Sequence, residues 1–425
     1  MGNEDYGVKP VHGHGTCTKD ETAPHMVRII SNIVDQWYTD PNGFETRGPM
    51  NNFSSDGCAM FVLAGTTLEH IVLSQALAAN TILAALFVLL GVLTLFDLSV
   101  GDHGMVFVCD AKHAFKRFRT RLKSLSKSMR VNEQVLSLVG IRDLLVHGGG
   151  IGVQKLNRMF DPSDEQNVPF MVECFETMGQ FEDFNYDDYS FPAHAPNENA
   201  RRELIYEFKI LCAICQCLFY YLSNGKGSIE EHLINLSKLS HLLFVVFRKS
   251  AGNFMAPQNY HNIQSVIKGM YKSVATCKYY GINCYFLFQD NDDRLENLFR
   301  DLRALGGGGR NFDMLQLEER IKAAMIIQEI YNLYPNLKRA SRRLNGSMDH
   351  WNPLSWLGAT FPGTMDSGVD LKECWEEGAR QAAEVLTRDG VFQATDIDWN
   401  TINLEVPKPT MYKPHGIFVE VAGRT

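Results

Sequence analysis

Positive charge is in short supply in this 425-residue chain, where 41 lysines and arginines face 49 aspartates and glutamates for a net charge of -8 at pH 7. That deficit excludes a protein whose whole surface coats nucleic acid or acidic membrane, and it leaves room for a basic patch on an acidic body. No secretory signal precedes the ten scattered cysteines, so a reducing compartment is the expected environment, cytoplasm or nucleus. The N-terminal MGNEDY has Tyr6 where myristoylation wants Ser or Thr, and no internal repeat points to a solenoid or propeller. Charge is missing altogether from Val72 to Phe96, and ILAALFVLLGVLTLF within that run is long enough to suggest a membrane span. Asn80 and Thr81 interrupt it, however, and no lysine or arginine stands near either end, Lys112 being the first after it. A buried core helix and strand are therefore expected there, and no membrane partner.

What is present is an ordinary globular mixture, 45% apolar and 21% charged, long enough for two or three domains. Residues 1–50 form an N-terminal arm around MVRIISNIVDQWY. Its HGHGTC offers His12, His14 and Cys17, but with no fourth ligand at a recognisable spacing it is read as arm rather than metal site. Residues 51–150 make one unit: a turn at SSDG, apolar segments, a strand at MVFVC and a helix through the basic stretch after it. In 151–275 an acidic, aromatic loop, MGQFEDFNYDDYSFPAHAPNENAR, precedes three helix-like segments. Cys212, Cys215 and Cys217 lie in the first of these as buried small hydrophobes, not zinc ligands. Residues 276–345 supply another strand, CYFLFQ, a helix with Leu295, Leu298, Phe299, Leu302 and Leu305 inward, the breaker GGGG, and a helix from about Asp313 ended by Pro335. Residues 346–425 form a tail rich in turns.

The concentrated charge lies in MVFVCDAKHAFKRFRTRLKSLSKSMR, where eight lysines and arginines against Asp110 give +7 and leave about -15 for the rest. Phe115, Phe118, Leu122, Leu125 and Met129 recur at three- and four-residue spacing, an apolar stripe that turns the cations outward, where a phosphate backbone would compensate them. A solvated face, or one paired with Asp187 and Asp188, is the plainer alternative. Asp110, at the end of a buried strand, is placed to hold a divalent cation; it is equally a preferred helix N-cap, and the two roles are compatible. Asp56 stands in an Asp-Gly turn that turn chemistry alone explains. Glu296 falls three residues after Asp293, where a capping box accounts for it. Together the three carboxylates fit phosphodiester chemistry by two metals, which needs a few acidic groups converging from separate elements.

SSDG, then CDAKHAFKRFRTRL, then a helical block, then DDRLENLF before GGGGRNFDMLQLEERI resemble the core of an RNase H-like transposase of the P-element and hAT type. Within that group the similarity is greatest to transposase-derived proteins of mushroom-forming fungi, helped by RRL at Arg342 to Leu344, NPLSWLG, LKECWEEGAR and MYKPHG. The resemblance covers roughly Asp56 to Gly416. It implies an α/β fold, an RNase H-like mixed sheet with flanking helices interrupted by a helical insertion. It also implies Asp56, Asp110 and Glu296 as catalytic metal ligands for Mg²⁺ or Mn²⁺, and DNA cleavage and strand transfer as ancestral chemistry. Lys112, Lys116, Arg117, Arg119 and Arg121 would hold DNA phosphates, in a nuclear protein able to form a homo-oligomer. Two departures accompany it: Arg300 stands where such relatives tend to have Gly, and no zinc-binding DNA-recognition module precedes Asp56. The alternative is accordingly a remnant or domesticated copy, a catalytically inactive scaffold that binds nucleic acid or protein, in the nucleus or cytoplasm.

Overall fold

The computed structural model describes residues 22–50, 52–55, 59–75, 81–125, 128–131, 134–161, 163, 167–186, 198–223, 227–250, 252–282, 285, 293–306, 313–337, 368–390, 392–393, 397 and 399. In chain order the elements are α1 (Ala23–Thr39), α2 (Phe44–Arg47), β1 (Asn52–Ser55), α3 (Ala59–Leu68), β2 (Ile71–Val72), α4 (Thr81–Leu90), β3 (Ser99–Val100) and β4 (Val106–Cys109). There follow α5 (Ala111–Leu122), β5 (Met129–Val131), β6 (Gln134–Leu136), α6 (Leu138–Gly149), α7 (Val153–Met159), α8 (Val168–Gly179), α9 (Glu198–Ser223), α10 (Ile229–Lys249) and α11 (Pro257–Tyr279). Helices α12 (Asp293–Leu305), α13 (Met314–Leu333) and α14 (Leu371–Thr387) complete the set. The described chain is thus α/β but mostly helical. Its strands form three separate pairs: β1–β4 parallel, β2–β3 antiparallel and β5–β6 antiparallel.

Contacts divide the chain into two units, one from Met1–Pro49 and Phe288–Phe361, the other from Met50–Leu287 and Pro362–Thr425. In the first, Thr22 caps α1, accepting from His25 N, and Ile30 and Val34 face inward. Its other part is an α12–α13 hairpin closed on Leu298, Leu302 and Ala324, with Leu317 and Ile321 packed alongside. Asp313 caps α13 as the sequence suggests. Phe299 and Leu305, expected inward, are 43% and 40% exposed, because the contact stripe of α12 is only as wide as its one described partner helix.

The second unit is organised around α11, which is buried on every side from Asn259 to Cys277. A strand enclosed on both faces needs no polar alternation, and VFVC in β4 is buried throughout. Gly269 of α11 faces that strand: a Cβ there would stand 2.4 Å from Val108 Cγ2, so the glycine permits the close approach of helix to strand. Because β1 and β4 run parallel, the chain between them must cross over, and α3, α4 and the short β2–β3 pair make that crossover. The helical segment that sequence reading sets between the acidic residues as a looped-out block is packed into this core, α11 against β4 and α4, and α10 against α14.

One expectation is met among the described residues and two change. The charge-free run Val72 to Phe96 divides into a strand end, a tight turn, the ten-residue α4 and a loop, with Leu73, Leu83, Leu86, Leu90 and Phe96 buried. Among the described residues one helix, α9, is long and apolar enough to cross a membrane, and 67% of its apolar window is buried within the protein. The basic helix ends at Leu122, so Leu125 is 78% exposed and Met129 belongs to β5 rather than to the apolar stripe. The tail is more than turns. Helix α14 lies on α10, where Trp375 is sealed among Phe96, Tyr271 and His241, its indole N–H donating to Thr94 O at 2.9 Å.

Candidate functional site

The pairing of β1 with β4 aligns Asn52 with Val106 and Ser55 with Cys109. Asp110 N–H continues the ladder, donating to Ser55 O at 2.8 Å, and the chain then turns into α5. Asp110 is the N-cap of that helix: its Oδ2 accepts from His113 N at 2.9 Å and from the His113 ring Nδ1 at 2.8 Å. The capping role inferred from sequence is therefore real, and the carboxylate also fixes the imidazole, whose Nδ1 must carry the proton to make this bond. The other carboxylate oxygen, Oδ1, is buried and has no hydrogen-bond partner among the described residues. The Ser54 hydroxyl, on the neighbouring strand, is in the same condition.

Burial pushes the Asp110 carboxyl up, but the hydrogen bonds from the His113 ring and amide, with the charges of His113 and Lys112, outweigh it and hold the group below the ordinary carboxylate range. Asp110 is thus an anion in a fully buried position with one coordination direction unused. That combination suits a hard donor to a divalent cation.

The five basic residues of α5 do not act alike. Arg117 is exposed, and Lys112 and Lys116 are half-buried. With the Asn262 amide turned to satisfy both its ends, Arg117 Nη1 donates to Asn262 Oδ1 at 2.9 Å. Arg119, expected on a phosphate, is 2% exposed: its Nε and Nη2 donate to Met159 O at 3.1 and 2.8 Å, closing the C-terminal end of α7. Arg121 donates to Ser128 O at 2.6 Å and Asn253 O at 3.2 Å. Lys123, one residue past the helix, is buried against Asp161 O at 3.0 Å. A cation buried on backbone carbonyls is a fold element, and a guanidinium in that state cannot reach DNA.

Asp56 lies outside the described residues, as do His12, His14, Cys17, Asp187, Asp188 and nearly all of CYFLFQ. Glu296 stands in the first turn of α12, its side chain outside the described set and its helix in the other unit. Among the described residues no group of three or more His, Cys, Asp or Glu is placed to hold a metal ion. Cys212, Cys215 and Cys217 are fully enclosed, burial raising all three thiols, Cys217 to about 12.

Sequence reading missed the ionic centre of this unit. Lys268 Nζ donates to Glu69 Oε2 and to Asp97 Oδ2, each at 2.7 Å, with all three side chains buried. The signal was available: Glu69 and Asp97 are the acids that bracket the charge-free run, and such a run buried at both ends needs a cation where it enters the core. No family model, curated protein or solved structure matches the chain.

Proposed function

We propose that this chain is a transposase-derived protein with an RNase H-like core, its ancestral chemistry Mg²⁺- or Mn²⁺-dependent cleavage and transfer of DNA strands. Asp56, Asp110 and Glu296 are the carboxylates that the sequence resemblance names for the metal. One observation carries the reading: β1 and β4 are parallel and in register to their last residues, Ser55 opposite Cys109. Asp110 follows β4 at that end, and Asp56 is the next residue in the sequence after Ser55. The orphaned, buried Oδ1 of Asp110 is the kind of oxygen a small hard cation takes. A cation held there supplies charge neutralisation at phosphate and a more acidic water. Lys112, Lys116 and Arg117, on the first two turns from Asp110, would grip the phosphate backbone without choosing sequence, in keeping with DNA as the proposed partner and the nucleus as the proposed compartment.

A second reading, a scaffold that keeps the fold without the reaction, draws on the commitment of Asp110 Oδ2 to His113 and of Arg119 and Arg121 to backbone carbonyls. Nicking of supercoiled DNA by the full chain separates the two. The enzyme reading expects cleavage that requires Mg²⁺ or Mn²⁺ and disappears in Asp110→Ala. Absence of nicking with both metals, or nicking that survives that substitution, overturns it in favour of the scaffold.

A further inference from the structure

Among the described residues β4 has a strand neighbour on one side only. Successive amides of a strand point to opposite edges. Asp110 N–H goes to β1, whereas those of Phe107 and Cys109 point away from it, into the protein. Buried N–H groups left unpaired cost as much as lost hydrogen bonds, so the second edge must find acceptors. It finds two side chains. Glu69 Oε1 accepts from Phe107 N at 2.9 Å, and Ser265 Oγ of α11 accepts from Cys109 N at 3.0 Å. The serine hydroxyl donates to Asn262 O at 2.8 Å, which turns its lone pairs toward the strand. Glu69 is steadied through its other oxygen by Lys268, and Asp97, also on Lys268, accepts from Ser99 Oγ at 3.1 Å.

We infer that Ser265 and Glu69 act in place of a strand partner on this edge of β4 and are positioning residues for Asp110, Ser265 the more direct of the two. Ser265 fixes the amide of the residue immediately before Asp110, while Ser55 O fixes the amide of Asp110 itself. The end of β4 is thereby held from both edges, and the carboxylate leaves it with Oδ2 on His113 and Oδ1 unengaged. The importance of that orientation rests on the metal-site reading above, but its test needs no catalysis.

Hydrogen exchange of the strand segment 105–110 and the solvent-exchange rate of the His113 Nδ1 proton are read in wild type, Ser265→Ala and Ser265→Thr. In Ser265→Ala the strand amides should exchange roughly tenfold faster or more. The His113 proton should exchange faster with them, while α10 keeps its protection; Ser265→Thr, which retains the hydroxyl, restores both signals. Unchanged strand exchange overturns the proposal. Faster strand exchange with an unmoved His113 proton overturns it too, since the seal would then be structural without orienting Asp110. Should Ser265→Ala fail to fold, Ser265→Cys, a weaker acceptor of similar size, must move the two signals together, and movement of one alone has the same overturning force. Loss of the nicking reading would leave these signals readable.

Discussion

Removing the Lys268 ammonium while keeping its bulk, as in Lys268→Met, is the sharpest perturbation of the larger unit. In the native protein burial would lower the lysine pKa, but Asp97 and Glu69 at 2.7 Å hold it above its usual value, and the side chain stays a cation. For Glu69 burial raises the pKa more than Lys268 lowers it. Without the lysine, two buried carboxylates confront each other with no counter-charge. Breaking a buried ion pair from one side costs about 3–5 kcal/mol. A small cavity lined by Asp97, Ser240, Gln264 and Trp375, with room for about one water, allows some hydration and favours the lower half of that range. At about 2–4 °C per kcal/mol for a unit of this size, the melting temperature should fall by roughly 6–15 °C at pH 7. The pH dependence follows from the same geometry. Glu69, whose carboxyl burial already raises, loses in the variant the cation that opposed that rise, so the folded state binds more protons and the deficit should shrink as pH falls from 7 toward 5. Adding Glu69→Gln should recover part of the loss, because an amide still accepts from Phe107 N without a charge. Thermal unfolding of the single and double variants at the two pH values decides the matter. A shift under about 2 °C at pH 7, or a deficit that grows on acidification, refutes the reasoning.

Other outcomes follow from the same contacts. His241 is buried between Trp375 and Trp399, and burial depresses its pKa from 6.5 to about 4. Its folded pKa being the lower, stability is complete above pH 6.5 and declines toward pH 4 by up to about 3 kcal/mol; denaturant midpoints across that range should show the slope in wild type and lose it in His241→Gln. Arg119→Gln should destabilise by about 2–3 kcal/mol through the carbonyl of Met159, measured by thermal unfolding. Arg117→Gln, which gives up one bond to the buried Asn262 amide, should cost about 1 kcal/mol, less than Arg119→Gln. Replacing Lys112, Lys116 and Arg117 together by Gln should weaken DNA binding for all sequences and reduce the log–log salt slope by roughly two to three. Gly378→Ala should cost about 2 kcal/mol or more in the same unfolding assay, since its Cβ would meet the backbone oxygen of Ile234 at 2.6 Å and separate α14 from α10.

Local pattern carried much of the fold. Phe115, Phe118 and Leu122 are buried where their spacing put them, Asp110 caps where a strand meets a helix, and α9, α10 and α11 occupy the three helix-like segments. Ser228 and Glu231 even form the capping box that opens α10. The failures have physical causes. Leu125 and Met129 continue the three-and-four spacing past a helix end that neither Gly nor Pro marks, so periodicity alone overran it. In α14 the signal was present, with Leu371, Cys374, Trp375, Gly378, Ala382 and Leu386 on one buried face, but the turn residues on either side of it dominated the reading. Arg119 was beyond reach: its partner carbonyl lies 40 residues away, and no pattern within one helix reveals a long-range acceptor.

That last case changes what the basic helix means. Cations near a helix C-terminus find partial negative charge on unpaired carbonyls, and an anion at the N-terminus finds partial positive charge on free amides. Asp110 takes the first position on α5, whereas Arg119, Arg121 and Lys123 gather at its last turn and bond the carbonyls of Met159, Ser128, Asn253 and Asp161 from neighbouring segments. This half of the charge belongs to folding: it joins α5 to α7 and to the loops before β5 and α11. Lys112 and Lys116, half-buried, and Arg117, exposed, stand within two turns of Asp110, whose Oδ1 accepts no hydrogen bond among the described residues. A polyanion held there would be gripped at the Asp110 end of the helix rather than along its length. About three phosphates, not five, would then set the electrostatic affinity, and each would lie near the carboxylate proposed to hold the metal.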